Sequence, residues 1–427
     1  MSDTEALLER RYRVLGCHAP LFYDRPVRLV RGQGVWLYDD AGRAYLDVYN
    51  NVPCVGHCHP HVTDAIARQA ATLNVHSRYL HDLVVSYAER LTATFGDPLN
   101  AVMFTCTGTE ANELALRLAR FHTGGRGVIV SDFSYHGNSE LLSALTSCFE
   151  TPEPFPSFAR AVPIPDPARD RQGRSDEELA DAYAEHVRAA VNSLQADGVQ
   201  MAAILIDTFF ANEGLPDRVP GYVEKAVEIV RQAGGLFICD EVQSGFARTG
   251  AAMWGHRLTS VTPDIVTLGK PMGNGHPLAG VITRRELVDK FGQVANYFNT
   301  FGANPVSAAA GLAVLDVIER EQLLLNSKRV GAYVREGLER LKNKHSLIAN
   351  VRGQGLFFGI ELAHSDANAT PATAETKRLV NAMRERGILL SRIGRYDNIL
   401  KMRPPLVFKT EHADQLLSTL DHALSEL

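Results

Sequence analysis

Between residues 60 and 300, short apolar runs alternate with longer stretches whose apolar positions recur every three or four residues. Residues 102–105, 128–131, 203–206, 236–239 and 265–268 read as buried strands. The segment from Thr107 to Phe121 reads as a helix. Ala111, Leu114, Ala115, Leu118 and Ala119 would share its buried face, and Thr107 and Glu110 have the spacing of a capping box. Strands alternating with amphipathic helices predict parallel strands joined by helical crossovers. Residues 27–51 read instead as a β-rich arm, with an Asp40-Ala41-Gly42 turn between two alternating runs. Residues 151–180, rich in Pro and Asp, predict an irregular surface excursion. Beyond residue 310 come a long helix (308–321) and a helix–strand pattern, with strands in 351–362 and 388–408. No internal repeat or low-complexity tract interrupts this order.

Composition narrows the picture. A chain of 427 residues, 45% hydrophobic, is long enough for two or three core units. Its net charge of −5 is spread along the chain, and no basic block suggests nucleic acid or an anionic membrane. No apolar run approaches the ~18–20 residues of a membrane span. The N-terminus is charged and helix-like, without the apolar core of a signal peptide. Six scattered cysteines read as reduced, which predicts a cytoplasmic protein. Cys54, His57, Cys58 and His59 look like a metal site on paper. They lack a second ligand pair, so they read as loop structure and no metal is expected.

Candidate chemistry gathers just past the predicted strands, where open α/β sheets bind their ligands. Lys270 follows Gly269 at the end of one strand and leads into a Gly- and Pro-rich loop. Alone it would be an ordinary loop lysine. About thirty residues earlier another apolar run ends in Asp240. A lysine able to form a Schiff base and an acid able to pair with a pyridinium nitrogen are the minimum equipment for pyridoxal phosphate chemistry. Gly108 and Thr109 open a helix, where free N–H groups form a phosphate cradle. Tyr135 and His136 follow a third strand and Asp207 a fourth. Tyr135 and Val242 are candidates to pack on a planar ring, and Gln243 to bond a ring oxygen. Thr300 adds a hydroxyl in the loop 298–305.

Together these motifs resemble the class III aminotransferase family of pyridoxal phosphate enzymes. They are T-G-T-E-A-N-E from Thr107, Y-H-G from Tyr135, D-E-V-Q-S-G-F-A-R-T-G from Asp240, the lysine of L-G-K and N-T-F-G-A-N-P from Asn299. The resemblance implies fold type I: a large domain with a mainly parallel seven-stranded sheet, and a smaller α/β domain built from both chain ends. It suggests an N-terminal arm and part of the small domain in 1–60, the cofactor domain in 61–310 and the rest of the small domain in 311–427. It implies that Lys270 binds the cofactor covalently and Asp240 its pyridine nitrogen. Val242 and Tyr135 would flank the ring, with Gln243 on the ring hydroxyl, and His136 and Asp207 would complete the cofactor set. Gly108 and Thr109 would hold its phosphate. Thr300 would reach the cofactor of a second copy, making the protein a homodimer.

Within the family the chain resembles the branch of phospho-lyases acting on ethanolamine phosphate and phosphohydroxylysine. The matching stretches are N-N-V-P-C-V-G-H-C-H-P from Asn50, S-R-Y-L-H-D from Ser77, G-K-P-M-G-N-G-H-P from Gly269, Y-F-N-T-F-G from Tyr297 and L-K-M-R-P-P from Leu400. Two departures from ordinary aminotransferases are visible. Asp207-Thr208-Phe209-Phe210 replaces the usual E-P-x-Q, and Asn138 stands where some relatives have a carboxylate-binding arginine. The implied reaction is elimination of phosphate from a small phosphorylated amine. Lys401, Arg403 and Arg78 are the candidates for its phosphate, with transamination of an amine or amino acid as the alternative.

Overall fold

Seven strands between residues 101 and 283 form one sheet. Their order is Ala101–Thr105, Ala279–Thr283, Ile265–Leu268, Leu236–Asp240, Met201–Ile206, Gly127–Ser131 and Ala159–Val162. The computed structural model describes residues 3–427. Ala279–Thr283 runs antiparallel to both neighbours, and the other six strands share one direction. The central strands are buried throughout, and largely apolar, because both faces of the sheet are covered. Val128, Val130, Leu205 and Ile238 pack with the buried side of helix Gly108–Thr123. The alternate residues Ile129, Ile204, Phe237 and Val266 join a core that includes helices Asp176–Ala196 and Tyr222–Gln232. The expected face of the Gly108–Thr123 helix, from Ala111 to Ala119, is buried.

The stretch 151–180 is more regular than its composition predicts. Ala159–Val162 is an edge strand of the large sheet, Pro167–Asp170 is a short helix, and a capping box at Ser175 starts the Asp176–Ala196 helix. The strand was hidden because it has only four residues, is only partly buried and lies between proline-rich turns.

The two chain ends meet. Leu29–Gln33, Trp36–Asp39 and Ala44–Asp47 form an antiparallel set, joined in parallel by Ile388–Leu389. A second, antiparallel sheet has the order Ile348–Gln354, Phe357–Leu362, Ile399–Met402, Ser391–Ile393. No helix among the described residues is long and apolar enough to cross a membrane.

Candidate active site

The carboxyl ends of the parallel strands bring together most of the residues singled out in the sequence. Gly108, Thr109, Tyr135, His136, Asp207, Asp240, Val242, Gln243 and Lys270 line one cleft. Asp240 ends its strand buried. Its Oδ2 accepts from Asn112 Nδ2 at 3.0 Å and meets His136 Nδ1 at 2.8 Å, while its Oδ1 accepts from the Val242 amide at 3.0 Å. Burial opposes its ionisation. The His136 hydrogen bond and charge, the Val242 amide and Lys270 outweigh that, and its pKa lies below the usual carboxylate value. Asp207 goes the other way. Burial, then the charges of Glu213 and Asp240, raise it well above the ordinary range, although the amides of Phe209 and Ala211 bond its oxygens.

Lys270 sits in the left-handed region with φ of 29°. That backbone costs a non-glycine residue ~1–3 kcal/mol and persists only where its surroundings impose it. Cys54 Sγ donates to the Pro271 carbonyl. Asn274 accepts from the Val55 amide at 2.9 Å and donates to the Gly56 carbonyl at 2.9 Å. These contacts clasp the turn from the opposite side. Burial, then repulsion from Arg403, lowers the Lys270 pKa to about 8, with Asp240 and Asp207 pulling it back up. A substantial fraction of the amine is therefore neutral at physiological pH, as a nucleophile or base requires.

A second charged group stands beside this wall. Lys401 and Arg403, on and just after the strand Ile399–Met402, are both buried. Lys401 Nζ donates to Gln243 Oε1 at 3.1 Å and to Asn212 Oδ1 at 3.3 Å. Arg403 donates to the same Gln243 oxygen and, through Nε, to the Tyr49 carbonyl at 3.1 Å. Burial, then Arg403 and Lys270, push the Lys401 pKa well down. Neither cation pairs with a carboxylate among the described residues.

Two candidates lie elsewhere. Arg78 is exposed and stacks on Phe298, 3.8 Å from the ring centroid. Thr300 is exposed in the adjoining loop. Neither lines the cleft of its own chain. Three members of the Cys54–His59 cluster take separate partners: Cys54 the Pro271 carbonyl, His57 Asp47 and His59 Glu321. Asn112, Asn212, Glu213 and Tyr49 were missed in the sequence. Only Asn112 left a trace there, as a polar residue beside the buried face of its helix.

The cleft fits pyridoxal phosphate by its donor set and its shape. The amides of Gly108 and Thr109 begin a 16-residue helix and find no acceptor among the described residues. A Cβ at Gly108 would press on Val242 Cγ2 at 3.2 Å, and one at Gly269 on the Gly108 backbone at 3.2 Å. Glycine therefore lets the helix start approach the lysine turn. His136 Nε2 is buried without a hydrogen-bond partner among the described residues. When bound, the cofactor would be held by Lys270, by Asp240 at a protonated ring nitrogen and by the helix start at its phosphate. It would supply a sink for electrons at the carbon bearing the substrate nitrogen.

This fold and donor set define a pyridoxal phosphate enzyme of fold type I. The model of the family named aminotransferase class-III matches residues 22–424, and the chain belongs to that family. An alanine–glyoxylate aminotransferase 2 homologue of Arabidopsis thaliana is 37% identical, covering 100% of this chain and 88% of its own length. A Caenorhabditis elegans protein named ethanolamine-phosphate phospho-lyase homolog 1 is 35% identical, over 99% of this chain and 93% of that one. Among solved structures, a phospholyase from Arthrobacter in complex with phosphoethanolamine is 50% identical. It covers 99% of this chain and 100% of its own, with a TM-score of 0.97.

Proposed function

We propose that the protein is a phospho-lyase that eliminates phosphate from O-phosphoethanolamine, giving acetaldehyde, ammonia and phosphate. The observation that carries this reading is the pair of buried cations Lys401 and Arg403. They share one amide oxygen and form no salt bridge among the described residues, although the charges of Asp207, Glu213 and Asp47 reach them, beside a lysine–aspartate cleft. Burial disfavours the charged forms of both groups, and a dianionic substrate group would favour them. The 50% identity to a phospholyase solved with phosphoethanolamine supports the same substrate class.

In this reading Lys270, freed by the substrate amine, takes the proton from the carbon bearing nitrogen. Asp240, held by His136 and Asn112, keeps the proton on the ring nitrogen. Lys401 and Arg403 bind the phosphate group of the substrate. One C–H and one C–O bond break, a C=C bond forms, and water hydrolyses the released unsaturated amine to aldehyde and ammonia.

We also propose a homodimer. Thr300 lies on an exposed surface with Phe301, 71% exposed, and Leu80, fully exposed. Exposed apolar side chains of this kind suit a second copy of the chain, and Thr300 and Arg78 would then serve the neighbour's cleft. The six unpaired cysteines agree with a reducing cytoplasm.

Transamination is the second reading, favoured by the names of relatives such as the 37% identical aminotransferase homologue. The cofactor spectrum separates the two. After O-phosphoethanolamine is consumed without any keto acid, the absorbance of the lysine-bound cofactor should return. Accumulation of the pyridoxamine form would establish transamination instead.

A further inference from the structure

The run from Asp47 to His59 contains the histidines and cysteines to which the chemistry above gives no role. In the structure it is a strap that joins the Lys270 turn to Arg403 and Gln243. Its second half clasps the Lys270 turn through Cys54, Val55 and Gly56. Its first half is organised by Asp47, which is wholly buried. Asp47 Oδ1 accepts from the amides of Tyr49 and Asn50, both at 2.9 Å, and its Oδ2 meets His57 Nε2 at 2.6 Å.

The turn fixed in this way carries the cation shelf. The Val48 carbonyl accepts from the Arg403 amide at 2.8 Å, and the Tyr49 carbonyl from Arg403 Nε at 3.1 Å. The Arg403 guanidinium lies 4.8 Å from the Tyr49 ring centroid. Asn51 Nδ2 donates to the Gln243 carbonyl at 3.2 Å. With Nε committed to a carbonyl, the planar guanidinium has one orientation left, and in it NH1 reaches Gln243 Oε1. Both ends of the Arg403–Gln243 contact are thus tied to one four-residue turn.

A turn of this shape could be made by asparagine, whose side chain also accepts from the amides that follow it. A buried carboxylate is the more costly choice. It is accounted for by its second oxygen, which binds His57 from the far end of the strap and closes it into a loop. We infer that Asp47, locked by His57, is the positioning residue for Arg403 and Gln243, and so sets affinity for the anionic end of the substrate. The inference rests on the reading of Lys401 and Arg403 as the phosphate-facing cations.

The test is calorimetric binding of inorganic phosphate to holoenzyme, alongside steady-state kinetics with O-phosphoethanolamine. Asp47→Asn and His57→Leu should each weaken phosphate binding and raise KM by about tenfold, because a displaced guanidinium loses its aligned hydrogen bonds. In both variants kcat and the cofactor absorbance should stay near native. His57→Gln, which keeps an N–H donor, should restore binding to within about twofold. Native phosphate affinity in a folded, cofactor-loaded Asp47→Asn enzyme would overturn the inference. So would a joint fall in kcat, cofactor occupancy and Tm with KM unchanged, which is the mark of a structural role alone. If Asp47→Asn does not fold, the His57→Leu and His57→Gln pair decides. A native enzyme that releases no phosphate from O-phosphoethanolamine, yet binds phosphate more tightly than Asp47→Asn, would sink the lyase reading and leave the positioning role standing.

Discussion

The Lys270–Asp240 wall and the Lys401–Arg403 shelf meet at Gln243 but are built in opposite ways. The wall is local: each side chain sits at or just past the end of a buried parallel strand, and the sheet sets its position. The shelf is assembled. Its two cations come from a strand of another sheet, Gln243 follows the Asp240 strand, and the turn that orients Arg403 lies more than 350 residues away in sequence. Rigid strand ends suit the chemistry common to pyridoxal phosphate enzymes. A shelf held by side-chain contacts can change with substrate while the wall stays the same.

If that division holds, changes to the wall should act on kcat and on the cofactor, and changes to the shelf on KM. The largest effect belongs to Lys270→Ala. It should lower kcat by about 10³-fold or more and abolish the absorbance of lysine-bound cofactor, as read by stopped-assay kinetics and a visible spectrum. Asp240→Asn keeps the shape but not the charge, and kcat should fall about 10²-fold with cofactor still bound. Lys401→Ala should raise KM for O-phosphoethanolamine by about 10- to 100-fold with the cofactor spectrum intact. An unchanged KM would remove Lys401 from the phosphate site and break the comparison.

The mildest test uses pH. The Lys270 amine attacks only when neutral, and burial with Arg403 lowers its pKa to about 8 from an ordinary value of 10.5. Recapture of pyridoxal phosphate by apoenzyme should therefore quicken about tenfold per pH unit below 8 and level off above it. A rate still climbing at pH 10 would show an unperturbed lysine.

The same contrast explains what could be read from the chain. The wall was legible because its motifs are contiguous: an apolar run, then the acid or lysine, then glycine. The helix face from Ala111 to Ala119 followed from period alone. Lys401 and Arg403 stood out only as charges in L-K-M-R-P-P, and nothing local gives their burial or their shared partner in Gln243. Asp47 was not singled out within the β-rich arm of residues 27–51, because its partners lie two, three and ten residues further on. The edge strand Ala159–Val162 was hidden by prolines on both sides, since edge strands need fewer apolar residues than central ones. Arg78 is the reverse case. Its motif suggested the cleft, yet on its own chain it stacks on Phe298 at the exposed surface.

The most direct test of the account is the stoichiometry of products from purified holoenzyme and O-phosphoethanolamine, with no keto acid present. The account predicts phosphate and ammonia released in equal amounts over many turnovers, with acetaldehyde as the carbon product. Ammonia and phosphate both absent, with turnover appearing only once a keto acid is added, would contradict it and make the cation shelf a carboxylate-binding site of an aminotransferase.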